Sequence, residues 1–246
     1  MTATRLLNRA VIRIAPQEDS ENVADFLQGL VTNDVTGILP VWAALLTPQG
    51  KALFDFIIWP GESGTLLLDC EAQAAPALVR RLSLYRLRRK ISILVDPLVS
   101  VHWQRGPGDA GAPDPRLAVL GTRWLAAASD QDQHHDQGAD REWLAHRLSL
   151  GVAEGSAELG DGQTLWLECN AAELQGVSFD KGCYVGQENT ARMNWRQKIT
   201  RRLIVVPLEK SDENRRRMAY PELGYAVDHL QVAKIEAALL PSWLEL

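Results

Sequence analysis

The stretch GVSFDKGCYVGQENTAR (176–192) sets one thiol, Cys183, between a glycine and a tyrosine and surrounds it with polar side chains. Cysteine usually behaves as a small hydrophobe and is buried among apolar neighbours. Here Lys181, Gln187, Glu188 and Arg192 belong at a surface or in a cleft. DKG is turn-forming, and the residues after Gly186 are good helix formers, so Cys183 is expected at the turn leading into a helix N-terminus. The helix end, with Lys181 and Arg192 nearby, would favour the thiolate. Glu188 in the first turn suits the helix dipole and can pair with Arg192 four residues on. The alternative is a structural turn whose cysteine packs beneath Tyr184.

Outward from this stretch, strand and helix patterns interleave. AVIRI reads as a strand by alternation, and EDSENVADFLQGLVTNDV as a helix with Val23, Phe26, Leu27 and Leu30 on one face, capped by Ser20 or Asp19 and weakened at Gly29. VWAALLTPQGKALFDFIIWP reads as a β-hairpin about the turn TPQGK. GTLLLDC, KISILVD and VSVHWQR are further strands, and AQAAPALVRRLSLYRL and REWLAHRLSLGV are helices. RGPGDAGAPDPR (105–116) reads as a loop with strands on either side. The hairpin breaks a strict βαβ rhythm and favours an α+β fold with mixed or antiparallel sheets.

Composition narrows the function classes. The chain has 246 residues, 46% of them apolar, and a net charge of −5, so nucleic acid is not attracted by the molecule as a whole. Three widely spaced cysteines without a CxxC pair suggest neither a disulfide framework nor a protein-held metal. Asp132, His134, His135 and Asp136 lie in a polar run that reads as a solvated loop. No apolar run is long enough to span a membrane, and the N-terminal residues lack a signal-peptide pattern, so the expected compartment is the cytoplasm. There is no dinucleotide or P-loop glycine fingerprint.

With these residues in view, Lys181–Glu188 resembles the K-G-C-Y-x-G-Q-E signature of the YgfZ-type folate-binding proteins, which are related to the glycine cleavage T-protein (aminomethyltransferase). FLQGLVTNDV, LLTPQGKALFDFII, LYRLRRKISI and EWLAHRLSLGVAEG resemble the same family in the same order, and the likeness runs over residues 5–205. It implies two interlocked α+β subdomains around a central folate channel, within 1–202 and with a boundary near 105–116, then a small β-rich C-terminal module; at 203–246 this chain departs from the family, and an abbreviated module is expected. It further implies a role in assembling or maintaining iron–sulfur clusters in client proteins, tetrahydrofolate as ligand, and an indirect effect on tRNA modification.

Carried onto this chain, the resemblance makes Cys183 the signature cysteine, which the T-protein lacks, with Lys181, Tyr184, Gln187 and Glu188 completing the motif beside Arg192. Trp143 matches a tryptophan that packs against folate, and an indole face suits a flat pterin; a core tryptophan on an amphipathic helix is the other reading. Asp55 stands where the T-protein has paired aspartates that address the folate, but here the pair is reduced to Phe54–Asp55. Asp55 either bonds a pterin amide or faces outward on an alternating strand. Arg9 replaces a second family tryptophan. The missing aspartate counts against the alternative function, a folate-dependent aminomethyl or methyl transferase; a binding module without chemistry is the third class. Basic residues in YRLRRK (85–90), with Arg192, Arg196, Lys198, Arg201 and Arg202, would line one face for a folate tail or a nucleic acid, or form a solvated surface. NRRRM (214–218) reads as a surface turn.

Overall fold

The computed structural model describes residues 4–128, 138–196 and 198–246. The run holding Asp132, His134, His135 and Asp136 lies outside the described residues.

Strand β1 (Arg9–Pro16), helix α1 (Val23–Gln28), strands β2 (Val41–Leu46), β3 (Ala52–Pro60) and β4 (Leu66–Glu71), helix α2 (Ala75–Arg86) and strand β5 (Ile91–Val95) form the first unit of the chain. The five strands make an antiparallel sheet in the order β2-β3-β4-β1-β5. Because side chains alternate across a strand, the sheet has two buried faces. Ile12, Ile14, Ala43, Leu45, Phe56, Ile58, Leu66 and Leu68 pack with Val23, Phe26 and Leu27 of α1 and Leu78 and Leu82 of α2. Val11, Trp42, Ala44, Leu46, Ile57, Trp59 and Leu67 face the other way, into a second core.

That second core is closed by β6 (Val99–Gln104), β7 (Ala112–Pro113) and β8 (Thr122–Ala127), a sheet ordered β6-β8-β7. Helix α3 (Asp140–Ser149) and the short α4 (Gly155–Leu159) follow, then α5 (Gln187–Arg196). Trp103, Trp143 and Trp166 are buried in this core. Strands β9 (Arg201–Pro207), β10 (Arg216–Tyr220) and β11 (Tyr225–Gln231) make the C-terminal sheet, ordered β10-β11-β9.

Local expectations shift in four places. Helix α1 covers six residues only, and Asn22 caps it by accepting from the Asp25 amide at 3.2 Å; Ser20 and Asp19 precede the cap. VSVHWQR starts a new sheet and does not extend the first. Residues 105–116 lie within that second sheet and include its short strand β7, and the change of sheet falls between Val95 and Val99. Three of the five residues of NRRRM are strand, since β10 begins at Arg216.

Candidate functional site

The inner face of the first sheet carries charge as well as apolar bulk. On β1, β3 and β4 the residues in phase with the second core include Arg9, Asp55 and Asp69. Arg9 Nε donates to Asp69 Oδ1 at 2.6 Å, a diagonal contact set by the pairing of Val11 with Asp69. From the second sheet, Arg123 reaches the other oxygen of Asp69 at 2.9 Å and also Asp114 Oδ2 at 2.9 Å. Arg116 closes the ring with Nη2 at 2.7 Å from Asp114 and Nη1 at 2.6 Å from Glu154.

Glu154, between α3 and α4, is the hub. It lies 3.6 Å from both Arg9 and Arg123 besides its bond to Arg116. Burial alone would raise its carboxyl, yet Arg116, Arg9 and Arg123 hold it well below the usual carboxylate range. Asp55 is the opposite case: burial and then the Glu154 charge push its carboxyl up to about 6, against the pull of Arg9 and Arg116. Its oxygens accept from Trp42 Nε1 and the Gly155 amide, both at 3.2 Å. Asp55 is therefore buried, which removes the outward-facing reading.

Trp143 of α3 sits over this network. Its Nε1 donates to Glu154 at 3.1 Å, the Arg123 guanidinium lies 4.3 Å from its ring centre, and Trp103 meets it at 5.3 Å. Beside Trp143 opens a cavity of about 700 Å³, walled by Arg9, Glu71, Arg141, Arg147, Glu154 and Glu158 among others, and by Met218 and Tyr220 of the C-terminal sheet. Ligand pockets for small molecules occupy this size range. Arg147 is held by Glu158 at 2.7 and 2.8 Å, and Tyr220 donates to the same carboxylate at 2.5 Å. The Arg147 Nε is buried without a partner. Asp55 stands behind Gly155, which lines this wall.

The 181–188 loop is built differently, as a set of anchors around one free group. Lys181 Nζ donates to the carbonyls of Gln28 and Val31 at 2.6 and 2.5 Å, at and just beyond the C-terminal end of α1, and stands 4.8 Å from the Tyr184 ring centre. Burial lowers the lysine to about 8 and raises the Tyr184 phenol to about 12. Gly186 has φ +85°, and a Cβ there would fall 2.5 Å from the Thr47 carbonyl, so only glycine lets the loop sit on the β2–β3 turn. Asn189 Nδ2 fixes the same turn through Gln49 O at 2.9 Å. Cys183 is exposed, while Cys70 and Cys169 are buried, their thiols pushed up to about 12 and well above the ordinary value.

Cys183 precedes the first residue of α5 by four positions, and among the described residues its sulfur has no hydrogen-bond partner. Lys181 is committed to backbone carbonyls, and Arg192 pairs with Glu188 at 2.7 Å in the open. Lys181 and Arg192, expected beside the thiol, thus each hold another partner. Gln187 is half-buried and serves the loop through its amide, which donates to Tyr184 O at 3.2 Å. The candidate residues thus fall into two groups, Trp143 and Asp55 in the interior and 181–192 on the loop. No hydrogen bond or ion pair joins the two among the described residues. Arg202 is buried against Glu173 at 2.6 Å and does not extend a basic face. Sequence reasoning missed Asp69, Asp114, Arg116, Arg123 and Glu154. The available signal was charge at core-phase positions, as in LLLDC and TRWLAA.

No family model matches the chain. The human mitochondrial iron–sulfur cluster assembly factor IBA57 is 33% identical over 238 residues, covering 82% of this chain and 65% of the relative. The mouse protein of the same name is 32% identical over 247 residues, covering 85% and 66%. A Neurospora crassa homologue is 30% identical over 233 residues, covering 82% and 52%. This chain spans between about half and two thirds of the length of these relatives. The crystal structure of glycine cleavage system aminomethyltransferase T from Bartonella henselae matches 94% of this chain and 79% of that one, with a TM-score of 0.67 at 13% identity. The fold is that of the T-protein, and the sequence relatives are IBA57 assembly factors. The expected α+β, T-protein-like architecture is therefore present. The expected cytoplasmic setting is corrected, because all three relatives are named as mitochondrial proteins. The likeness to T-protein-like iron–sulfur assembly factors is shown; the narrower YgfZ assignment rests on the motif alone. Among the described residues no helix is long and apolar enough to cross a membrane.

Proposed function

We propose that this protein is an accessory factor in iron–sulfur cluster assembly or maintenance, of the YgfZ type, which binds tetrahydrofolate beside Trp143 and offers Cys183 to a cluster in transit to or from client proteins. One observation carries the reading: Lys181, Tyr184 and Gly186 are each tied into the fold, and the one soft ligand among them, Cys183, is left exposed. A thiolate is a suitable donor for iron in a cluster, and an exposed one can be shared with a partner. An effect on tRNA modification follows indirectly, since methylthiolation depends on a cluster enzyme.

The cavity suits a folate in size and in its donor set. Trp143 gives part of an aromatic wall, Glu71 can accept from amino groups, and Arg141 can attract carboxylates. Asp55 would act through Gly155 and Trp42 rather than on the ligand. Tetrahydrofolate supplies a reduced pterin able to carry a one-carbon unit. The T-protein type of aminomethyl transfer is the weaker reading, because the paired aspartates are reduced to Asp55.

The test is replacement of the gene in a cell that lacks it, scored by cluster-enzyme activity. Wild type is expected to restore activity, and Cys183→Ala to fail while still binding tetrahydrofolate in calorimetry. Full rescue by Cys183→Ala would remove the thiol from the function. Absence of tetrahydrofolate binding by wild type would remove the folate.

A further inference from the structure

Residues 80–90 of a chain with net charge −5 hold six cations and no acid: Arg80, Arg81, Arg86, Arg88, Arg89 and Lys90. Arg89 pairs with Glu21, but Arg80, Arg81, Arg86, Arg88 and Lys90 make no ion pair among the described residues. Two leucines of this run are exposed, Leu84 by 67% and Leu87 by 85%. Arg80 and Leu84, one helical turn apart on α2, share a face. With Arg81 they form one bank of a groove of about 630 Å³, whose floor is Leu53 and Phe54 and whose other bank is the β2–β3 turn at Thr47–Gln49. The Arg81 Nε is buried and has no acceptor.

We propose that this groove is the docking site for an acidic, apolar segment of a partner protein. The apolar floor takes the partner's hydrophobic side chains and the arginine bank takes its carboxylates, as planar guanidinium groups do well. Two banks on either side of Leu53 and Phe54, with the exposed Leu84 beside the arginines, suit an extended segment that carries apolar and acidic side chains together. The location adds a consequence. The turn that forms the far bank is the seat of the 181–189 loop, through Gly186 on the Thr47 carbonyl and Asn189 on Gln49 O. A segment bound in the groove therefore lies against the element that positions Cys183. The proposal stands apart from the thiol and folate readings, and its test uses neither.

The experiment is selection of a random peptide display library on the full chain, with a parallel selection on the Arg80→Glu, Arg81→Glu variant. Arg80 is exposed and Arg81 half-buried beside Tyr85, so circular dichroism checks that the variant folds. Wild type is expected to enrich peptides that combine Asp or Glu with Leu or Phe. Labelled copies of these should bind the double variant about tenfold or more weakly and a Leu84→Asp variant likewise. Binding should weaken between about 0.05 and 0.5 M salt, because the rim charges are exposed. The Arg80→Lys, Arg81→Lys variant should keep part of the affinity. Enriched peptides that bind the charge-reversed variant equally well, or failure to enrich an acidic–apolar class, overturns the proposal. So does charge-dependent binding of phosphatidylserine vesicles or bulk tRNA without such peptides, which would assign the patch to a membrane or a nucleic acid.

Discussion

The guanidinium of Arg123 lies 4.3 Å from the ring centre of Trp143. One face of the indole is therefore already used within the fold, in a cation–π contact whose charge is balanced by Asp69 and Asp114. Trp143 is both a core residue and a cavity wall, so its substitutions should separate the two roles. Trp143→Ala is expected to cost about 3–5 kcal/mol of stability and, where folded, to weaken tetrahydrofolate binding by about 1–3 kcal/mol. Trp143→Phe keeps an aromatic face and loses the bond to Glu154, for about 1 kcal/mol of stability. Calorimetry is the suitable readout, since seven other tryptophans remain. Equal affinity in folded Trp143→Ala would take the residue out of the site.

Glu154 should be the least replaceable charge in the molecule. Glu154→Gln leaves Arg116 without its 2.6 Å carboxylate partner and removes the second counter-charge, 3.6 Å away, that Arg9 and Arg123 share besides Asp69. Breaking a buried pair from one side costs about 3–5 kcal/mol. Urea unfolding at pH 7 measures this, and a loss below about 1 kcal/mol would mean that the network relaxes without its hub.

Asp55 gives a pH signature. Its folded-state value, about 6, lies above the ordinary 3.8, so between those values the folded protein holds a proton that the unfolded chain has released. This group therefore lowers stability as pH rises from about 4 to about 6, and the loss is complete above that window. Asp55→Asn, which like the protonated acid is neutral and keeps one acceptor for Trp42 or Gly155, should come close to wild type near pH 4 and exceed it at pH 7 by up to about 3 kcal/mol. Thermal melts across that range decide the matter; parallel curves for the two proteins would show that Asp55 is charged throughout.

Alkylation of the native protein should label Cys183 first, because Cys70 and Cys169 are buried. Mass-spectrometric mapping that finds either buried thiol faster would overturn the placement. Lys181→Ala should destabilise the protein by about 1–3 kcal/mol, since it strips the Gln28 and Val31 carbonyls of their donor. An unchanged melting temperature would show that water replaces the ammonium without loss.

Much of this architecture is local and so was legible along the chain. Alternation in AVIRI and the apolar run VWAALL mark strands, TPQGK marks the hairpin turn, and the 3.6 period marks α2 and α3, because side-chain direction follows backbone period directly. The motif around Cys183 stood out for the same reason, a thiol in a polar context. Tertiary structure alone decided where the charges meet. Arg9 and Asp69 are 60 positions apart and touch through the register of β1 on β4. Arg116, Arg123 and Glu154 join them from loop, sheet and helix start, and none has a local signature because each reads singly as surface charge. Lys181 is the converse: it reads as a neighbour of the thiol, yet its long side chain turns back to the end of α1, where two buried carbonyls must find a donor. Sequence period sets which face a residue occupies; only the packing of sheets against each other sets what waits on the far side.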